Sequence, residues 1–99
     1  MQIRYSAAAK NELNDACDWF ERQQPGLGVR LRDEVRKATL QIARTPLLFP
    51  IELGEVRRYI MNPFSYTLRY VLRSDEVWVM AVSHQHRHPD YWVERTKNQ

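Results

Sequence analysis

Residues 66–83 read YTLRYVLRSDEVWVMAVS, two runs of strand-forming residues on either side of Ser74-Asp75. Aromatic and β-branched residues favour extended strands, and a two-residue polar break between such runs is typical of a β-hairpin. We therefore predict strands at about 66–73 and 76–83. The cross-strand pairs expected from this register are Arg73 with Glu76, Val71 with Trp78, and Arg69 with Met80.

Alternation of side chains gives the predicted hairpin two different faces. One is apolar and carries Tyr66, Leu68, Tyr70, Leu72, Val77, Val79 and Ala81. The other carries Arg69, Arg73, Trp78, Met80 and Val82. Exposed Trp and Met beside arginines are unusual on a plain solvent surface. We therefore interpret the second face as one that something covers, and Trp78 and Met80 as partner-binding residues.

Two amphipathic helices precede the hairpin. The first is predicted from about residue 7 to 23 with Ser6 as its N-cap, and the second from about residue 29 to 44. Pro25-Gly26-Leu27-Gly28 breaks the helical pattern between them, so the two helices form an antiparallel pair. Their apolar stripes need a flat apolar surface to cover them.

The remaining segments complete an α+β fold. Short strands are predicted at residues 2–5 and about 56–61. The resulting order is β-αα-βββ, a small antiparallel sheet packed on one face by the helical hairpin, followed by a short C-terminal tail or helix. Since 99 residues suffice for one core, we expect a single domain over residues 1–99.

Composition narrows the class of protein. The apolar fraction of 43% and charged fraction of 27% are typical of a globular chain, and the net charge of +3 suits nucleic acid or an acidic protein partner. Cys17 is the only cysteine, which excludes an internal disulfide and favours a small core residue. No apolar run approaches the ~18 residues of a membrane span. We expect a cytoplasmic protein with no membrane partner.

The side chains best suited to chemistry gather at residues 83–92, SHQHRHPDYW, where the last strand emerges into solvent. Cleavage of RNA through its 2′-hydroxyl needs a general base, a general acid and a cation beside the phosphate. The candidate catalytic residues are His84, His86, Arg87 and Tyr91. The alternative is a solvent-facing polar tail, with Tyr91 and Trp92 folded back on the sheet edge. Apart from Asp90, no carboxylate or thiol lies at a spacing that would let it bind a metal together with the histidines. We therefore expect neither a metal nor a cofactor.

Arginines on the strands form a second candidate set. Arg57 and Arg58 are adjacent, so only one of them can join the second face. A stripe of Arg58, Arg69 and Arg73 could follow a phosphate backbone, which predicts a nucleic-acid-binding role. The alternative is charge that keeps the sheet face soluble and discourages edge pairing.

Several short motifs, in this order and spacing, resemble the RelE/ParE superfamily. They are Trp19-Phe20-Glu21, Pro25-Gly26-Leu27-Gly28, Phe49-Pro50, Val56-Arg57-Arg58, Phe64-Ser65-Tyr66 and the run from His84 to Trp92. This superfamily contains the toxins of type II toxin–antitoxin modules, often called plasmid stabilisation proteins. The resemblance covers nearly the whole chain and implies the same β-αα-βββ fold.

The resemblance implies two different activities. RelE-like members cut mRNA on the ribosome, which would give Arg58 and Arg87 the phosphate and His84, His86 or Tyr91 the proton transfers. ParE-like members inhibit DNA gyrase and need no acid or base. The chain lacks the lysine pair that RelE-like members carry in the middle strands.

Both RelE-like and ParE-like members are neutralised by a cognate antitoxin, so a toxin–antitoxin hetero-oligomer is expected. A third interpretation is a degenerate member that retains only partner binding.

Overall fold

Two α-helices and five strands make up the part of the chain that the computed structural model describes, residues 1–98. Gln99, the last residue of the predicted domain, lies outside it. The elements in chain order are β1 (Gln2–Tyr5), α1 (Ala7–Gln23), α2 (Leu27–Arg44), β2 (Ile51–Leu53), β3 (Val56–Ile60), β4 (Tyr66–Arg73), β5 (Glu76–His84) and a C-terminal 3-10 helix (Val93–Asn98).

Side-chain hydrogen bonds cap the start of each helix in the hairpin. Ser6 caps α1 as predicted, since its hydroxyl accepts the N–H of Ala9 at 3.1 Å. The Glu21 carboxylate accepts the N–H groups of Gly26 and Gly28 at 2.8 and 2.9 Å. These bonds satisfy amides at the start of α2, which begins at Leu27, two residues before the predicted start.

Strand order in the sheet is β1-β5-β4-β3-β2, with both helices on one face. The predicted α+β fold is confirmed, and the pairs from β2 to β5 are antiparallel as expected. The sheet is nevertheless mixed, because β1 lies parallel to β5 on its outer edge. The intervening helical hairpin brings the chain back across the sheet and so allows a parallel neighbour. The short strand β2 was not predicted, since three residues carry no readable alternation.

A β-bulge in β5 changes which side chains face the helices. Tyr70 pairs with Val79, whereas Arg69 pairs with Ala81, which leaves Met80 without a partner position. The prediction that Arg69 opposes Met80 is therefore wrong, while the pairs of Arg73 with Glu76 and Val71 with Trp78 are confirmed. One extra residue reverses the later alternation, so Ala81 lies on the second face and Val82 on the helix face, opposite to the prediction.

The second face of the sheet is covered by the chain itself. Trp92 is 1% exposed and packs there in a cluster with Val56, Val71, Met80 and Ala81. Tyr91 and Val93 pack against the same cluster. This face is therefore covered by the C-terminal segment of the same chain, and partner binding through Trp78 and Met80 stays a prediction.

Candidate functional site

The predicted catalytic residues divide into two groups with different contacts. Arg87 and Tyr91 contact one another, with the Arg87 guanidinium carbon 3.9 Å from the centre of the Tyr91 ring. His84 instead contacts the rings of Tyr66 and His86, with centres 5.4 and 4.8 Å apart. The two groups are best considered as separate sites.

The first group belongs to a charged cluster that we call the C-terminal clamp, formed by Glu12, Arg87, Tyr91 and Arg95. Arg95 donates two hydrogen bonds to the Glu12 carboxylate, at 2.9 and 3.0 Å, and one to the carbonyl of Met80 at 3.0 Å. Arg87 Nη1 lies 3.8 Å from the same carboxylate. The clamp fastens the C-terminal segment to α1 and β5, which is a structural task.

Tyr91 is poorly placed to serve as a base in this clamp. Burial raises the pKa of its phenol, and the neighbouring Glu12 carboxylate raises the pKa further, outweighing the Ser83 hydroxyl and the Arg95 cation, which lower it. The phenol therefore stays protonated at neutral pH, where it can donate a proton but cannot remove one.

The arginines predicted to bind phosphate do not form an open stripe. Arg69 is only 7% exposed, and it donates to both oxygens of Glu52, at 2.7 and 3.3 Å, and to the Ser83 hydroxyl at 3.2 Å. Its guanidinium also stacks on the Trp92 ring at 5.1 Å. The expectation that Arg69 is exposed is wrong, because an unforeseen carboxylate on β2 pairs with it.

The remaining arginines do not all lie on the second face. Arg58 pairs with Arg69 across the strands, so Arg58, half-buried, is the member of the Arg57-Arg58 pair on the second face. Arg57 lies on the other side and donates to the carbonyls of Leu47 and Phe49 at 3.2 and 2.7 Å. Arg73 is exposed at the hairpin end of β4.

The residues predicted to bind a partner on the second face are largely enclosed. Met80 is 0% exposed and Trp78 is half-buried. The predicted exposure of Met80 is wrong, because the sequence pattern could not show that Trp92 packs over it. A partner that used these two side chains would first have to displace the C-terminal segment.

His84, from the second group, lines an open cleft, the aromatic cleft, which the sequence interpretation missed as a unit. Its lining residues are Trp19, Phe20, Pro63, Phe64, Ser65, Tyr66 and His84, and its volume is about 530 Å³. The end of α1, the β3–β4 loop and the ends of β4 and β5 supply them. The adjacent aromatic residues Trp19-Phe20 were the available signal, because neighbours on a helix cannot both face the core.

A continuous run of ring contacts fixes the cleft walls. Edge-on contacts join Trp19 to Phe20, Phe20 to Phe64, and Tyr66 to His84, with ring centres 5.0, 5.2 and 5.4 Å apart. The backbone N–H of His86 donates to His84 Nδ1 at 3.1 Å. Neutral His84 therefore carries its proton on Nε2 and is a hydrogen-bond donor there.

Residues 1–98 contain neither a metal-binding cluster nor a membrane-spanning helix. No group of three or more His, Cys, Asp or Glu side chains in that range is arranged to hold a metal ion. His88, the third histidine, is exposed, and its Nδ1 accepts the backbone N–H of Asp90 at 3.2 Å. Neither helix in that range has the length and apolar character needed to cross a bilayer.

Solved structures share this fold, a helical hairpin on a mixed sheet. A chain of the "Chromosomal ParDE TA system from P. aeruginosa" superimposes with a TM-score of 0.75 at 11% identity, covering 85% of this chain and 95% of that one. The isolated E. coli RelE toxin superimposes with a TM-score of 0.64 at 17% identity, covering 98% of this chain and 96% of that one. The architecture is thus that of toxins from toxin–antitoxin systems.

Sequence comparison identifies the family within that class. The family described as "ParE toxin of type II toxin-antitoxin system, parDE" matches residues 3–89. The chain therefore belongs to the ParE toxin family, which confirms the resemblance seen in the sequence. No curated protein sequence matches it significantly. Toxins of this family work with an antitoxin partner.

Proposed function

We propose that this toxin arrests bacterial growth by binding a protein target, DNA gyrase, and that it does not cleave mRNA. The observation that carries the proposal is the division of the four candidate catalytic residues. Arg87 and Tyr91 are engaged with each other and with Glu12, whereas His84 lines the aromatic cleft with His86 beside it.

Acid–base cleavage of RNA needs its base, acid and cation around one phosphodiester. In this chain the cation nearest Tyr91 is paired with a carboxylate, and burial keeps the phenol protonated. Arg69 is neutralised by Glu52 in the same way. A toxin that acts through a binding surface requires none of these groups to be free, so the arrangement favours binding over catalysis.

A second candidate function, mRNA cleavage, is favoured by one observation. His84 and His86 are adjacent, and His84 lines an open cleft. Two imidazoles could divide the roles of acid and base without Tyr91. This candidate makes both histidines essential, which separates it from gyrase binding.

For the antitoxin, we propose the groove between α1, α2 and β1 as the docking site, in a toxin–antitoxin hetero-oligomer in the cytoplasm. Its apolar lining includes Ile3, Tyr5, Leu13, Val35 and Leu40, and its volume is about 390 Å³. Cationic residues also line it: Lys10, Arg32 and Arg36. Apolar floor and basic rim together fit an amphipathic helix with acidic residues beside its apolar face.

The purified toxin and its His84→Gln/His86→Gln variant test the two candidate activities. DNA supercoiling by purified gyrase and cleavage of a translated mRNA, read by primer extension, are measured in parallel. We expect both proteins to inhibit supercoiling with no new mRNA ends, because glutamine keeps a side-chain N–H donor at position 84 and imidazole chemistry is not used. Ribosome-dependent mRNA cuts that disappear in the double variant would establish the nuclease instead.

A further inference from the structure

We propose that the aromatic cleft is the docking site for one apolar anchor, an aromatic or proline side chain, within an acidic segment of the toxin's protein target. This inference rests on the proposed function, since it assumes that the toxin acts by binding a protein. It assigns a role to Trp19 and Phe64, which neither the predicted catalytic set nor the antitoxin groove includes.

The exposure of Trp19 supports a binding role for the cleft. Its side chain is 51% exposed, although it contacts the Phe20 ring. The core on the helix face includes Phe20, Phe64 and Tyr66 but not Trp19, so the fold does not depend on this indole. A large aromatic side chain left at the mouth of a cleft is typical of a binding hot spot, where Trp and Tyr are enriched.

The cleft is already formed in the chain on its own, without a partner. Edge-on contacts from Phe20 to Phe64 and from Tyr66 to His84 hold its walls. The volume of about 530 Å³ falls within the range of roughly 300–1,000 Å³ that holds compact apolar ligands. Side chains that are already ordered lose little conformational entropy on binding, so even one anchor residue can contribute strongly.

The charges around the aromatic cleft favour an acidic partner segment. Within the described part of the chain, no side chain lining the cleft is acidic. The Arg30 guanidinium lies 6.0 Å from the centre of the Phe64 ring, and neutral His84 offers an Nε2–H donor. An apolar anchor with acidic neighbours therefore complements the cleft better than a basic segment does.

A nucleic-acid strand fits these observations less well than a protein segment. Binding to a phosphate backbone draws on several Lys or Arg contacts along a groove. Arg69 is buried against Glu52, and Arg87 lies against Glu12 and Tyr91 in the C-terminal clamp. Near the cleft itself, the Arg30 guanidinium lies over the Phe64 ring, so among residues 1–98 one arginine and not a series of them is available for a phosphate.

Two surfaces allow the target and the antitoxin to bind through different residues. The aromatic cleft and the groove between α1, α2 and β1 have no lining residue in common. The groove is lined by residues of α1, α2 and β1, whereas the cleft is lined mainly by aromatic rings at the end of α1 and in the β3–β4 loop. We therefore assign the cleft to the target and not to the antitoxin.

The test compares Trp19→Ala and Trp19→Phe with Leu48→Ala, a control that removes an even more exposed apolar side chain, 70% against 51%, from a loop elsewhere. Each variant is induced in bacteria for growth arrest, titrated into the gyrase supercoiling assay and titrated with the co-purified antitoxin. We expect Trp19→Ala to need at least about tenfold more toxin for both effects. Trp19→Phe should recover part of the loss, and Leu48→Ala should match the unchanged toxin within twofold. Antitoxin affinity should stay constant throughout.

The results separate failure of this inference from failure of the proposed function. Full growth arrest by Trp19→Ala would overturn the cleft assignment, whatever the target is. Growth arrest that needs Trp19 in cells, without any gyrase inhibition by the unchanged toxin, would support the cleft and refute gyrase as the target. Loss of antitoxin affinity in Trp19→Ala would assign the cleft to the antitoxin. Saturable quenching of tryptophan fluorescence by a short single-stranded RNA or DNA, seen with the unchanged toxin and lost in Trp19→Phe, would overturn the protein occupant. An unchanged toxin that arrests no growth would refute both proposals.

Discussion

Glu12 on α1 and Arg95 in the C-terminal 3-10 helix form a two-bonded ion pair, at 2.9 and 3.0 Å, across 83 positions of sequence. The Glu12 carboxylate also accepts the N–H of Val82 at 2.9 Å. The edge strand β1 pairs with β5 only as far as Val79, so Glu12 satisfies a backbone donor on β5 beyond that strand. One carboxylate thus joins the first helix, the exposed edge of the sheet and the segment that covers the second face.

Glu12→Ala should therefore be strongly destabilising, by about 2–3 kcal/mol. It leaves the partly buried Arg95 guanidinium with the Met80 carbonyl as its remaining acceptor, and the N–H of Val82 without its acceptor. Asp33→Ala is the matched control, since it removes a carboxylate from an exposed pair with Arg36 and should cost clearly less. Urea unfolding of both variants measures the difference. Equal costs would mean that the clamp contributes no more than a surface ion pair.

Gly28→Ala should destabilise the protein by about 1–3 kcal/mol, although alanine is the better helix former. A Cβ built at Gly28 would lie 2.4 Å from the carbonyl oxygen of Cys17, so α1 and α2 would have to move apart. Val29→Ala, at the next and exposed position, should change stability by less than about 0.5 kcal/mol. Thermal unfolding followed by circular dichroism compares them. A Gly28→Ala variant more stable than the unchanged protein would show that the helices do not need this close approach.

The Glu21 cap should make stability depend on pH in the acid range. Backbone N–H groups of Gly26 and Gly28 hold the pKa of this carboxyl below its ordinary value. A lowered folded-state pKa contributes stability that is complete above the unfolded pKa of about 4.3 and is lost as the pH falls through the folded pKa. Glu21→Gln removes that titration, so the stability difference from the unchanged protein should be largest near neutrality and shrink on acidification.

Denaturant unfolding at a series of pH values between about 7 and 3 measures that difference, and Glu55→Gln serves as its control. Glu55 is exposed in the β2–β3 turn, so its replacement should shift the whole curve little. A Glu21→Gln curve parallel to that of the unchanged protein would show that the carboxylate does not cap α2 through its charge.

Local patterns allowed prediction of the fold from sequence. Ser6, with its capping oxygen, and the break at Pro25-Gly26 predicted α1 closely, and Ser74-Asp75 predicted the register at the hairpin turn, because each depends on neighbours within a few residues. The bulge at Met80 was not predicted, since the segment 76–83 alternates equally well with or without it. The parallel placement of β1 depends on how the helical hairpin returns the chain, which local alternation does not encode.

The candidate site was less predictable, because its contacts join distant parts of the chain. Arg69 could be assigned to a face, but Glu52 lies 17 positions away on a strand too short to predict. Tyr91 was correctly considered as a residue that folds back, yet its contacts with Arg87 and Arg95 depend on Glu12. Trp19 approaches His84 in the cleft only because α1 ends beside the end of β5.

Trp92→Ala tests whether the C-terminal segment is part of the folded core. Trp92 is 1% exposed and packs on Val71 and Met80, so we expect a loss of about 3–5 kcal/mol, the usual cost of truncating a buried Trp. Leu47→Ala, which shortens a side chain that is 68% exposed, should cost less than about 0.5 kcal/mol. Urea midpoints measure both changes, and binding of a hydrophobic dye reports whether the second face becomes open. A Trp92→Ala variant with an unchanged midpoint and no added dye binding would show that this indole does not hold the second face closed. Trp78 and Met80 would then again be candidates for partner contact.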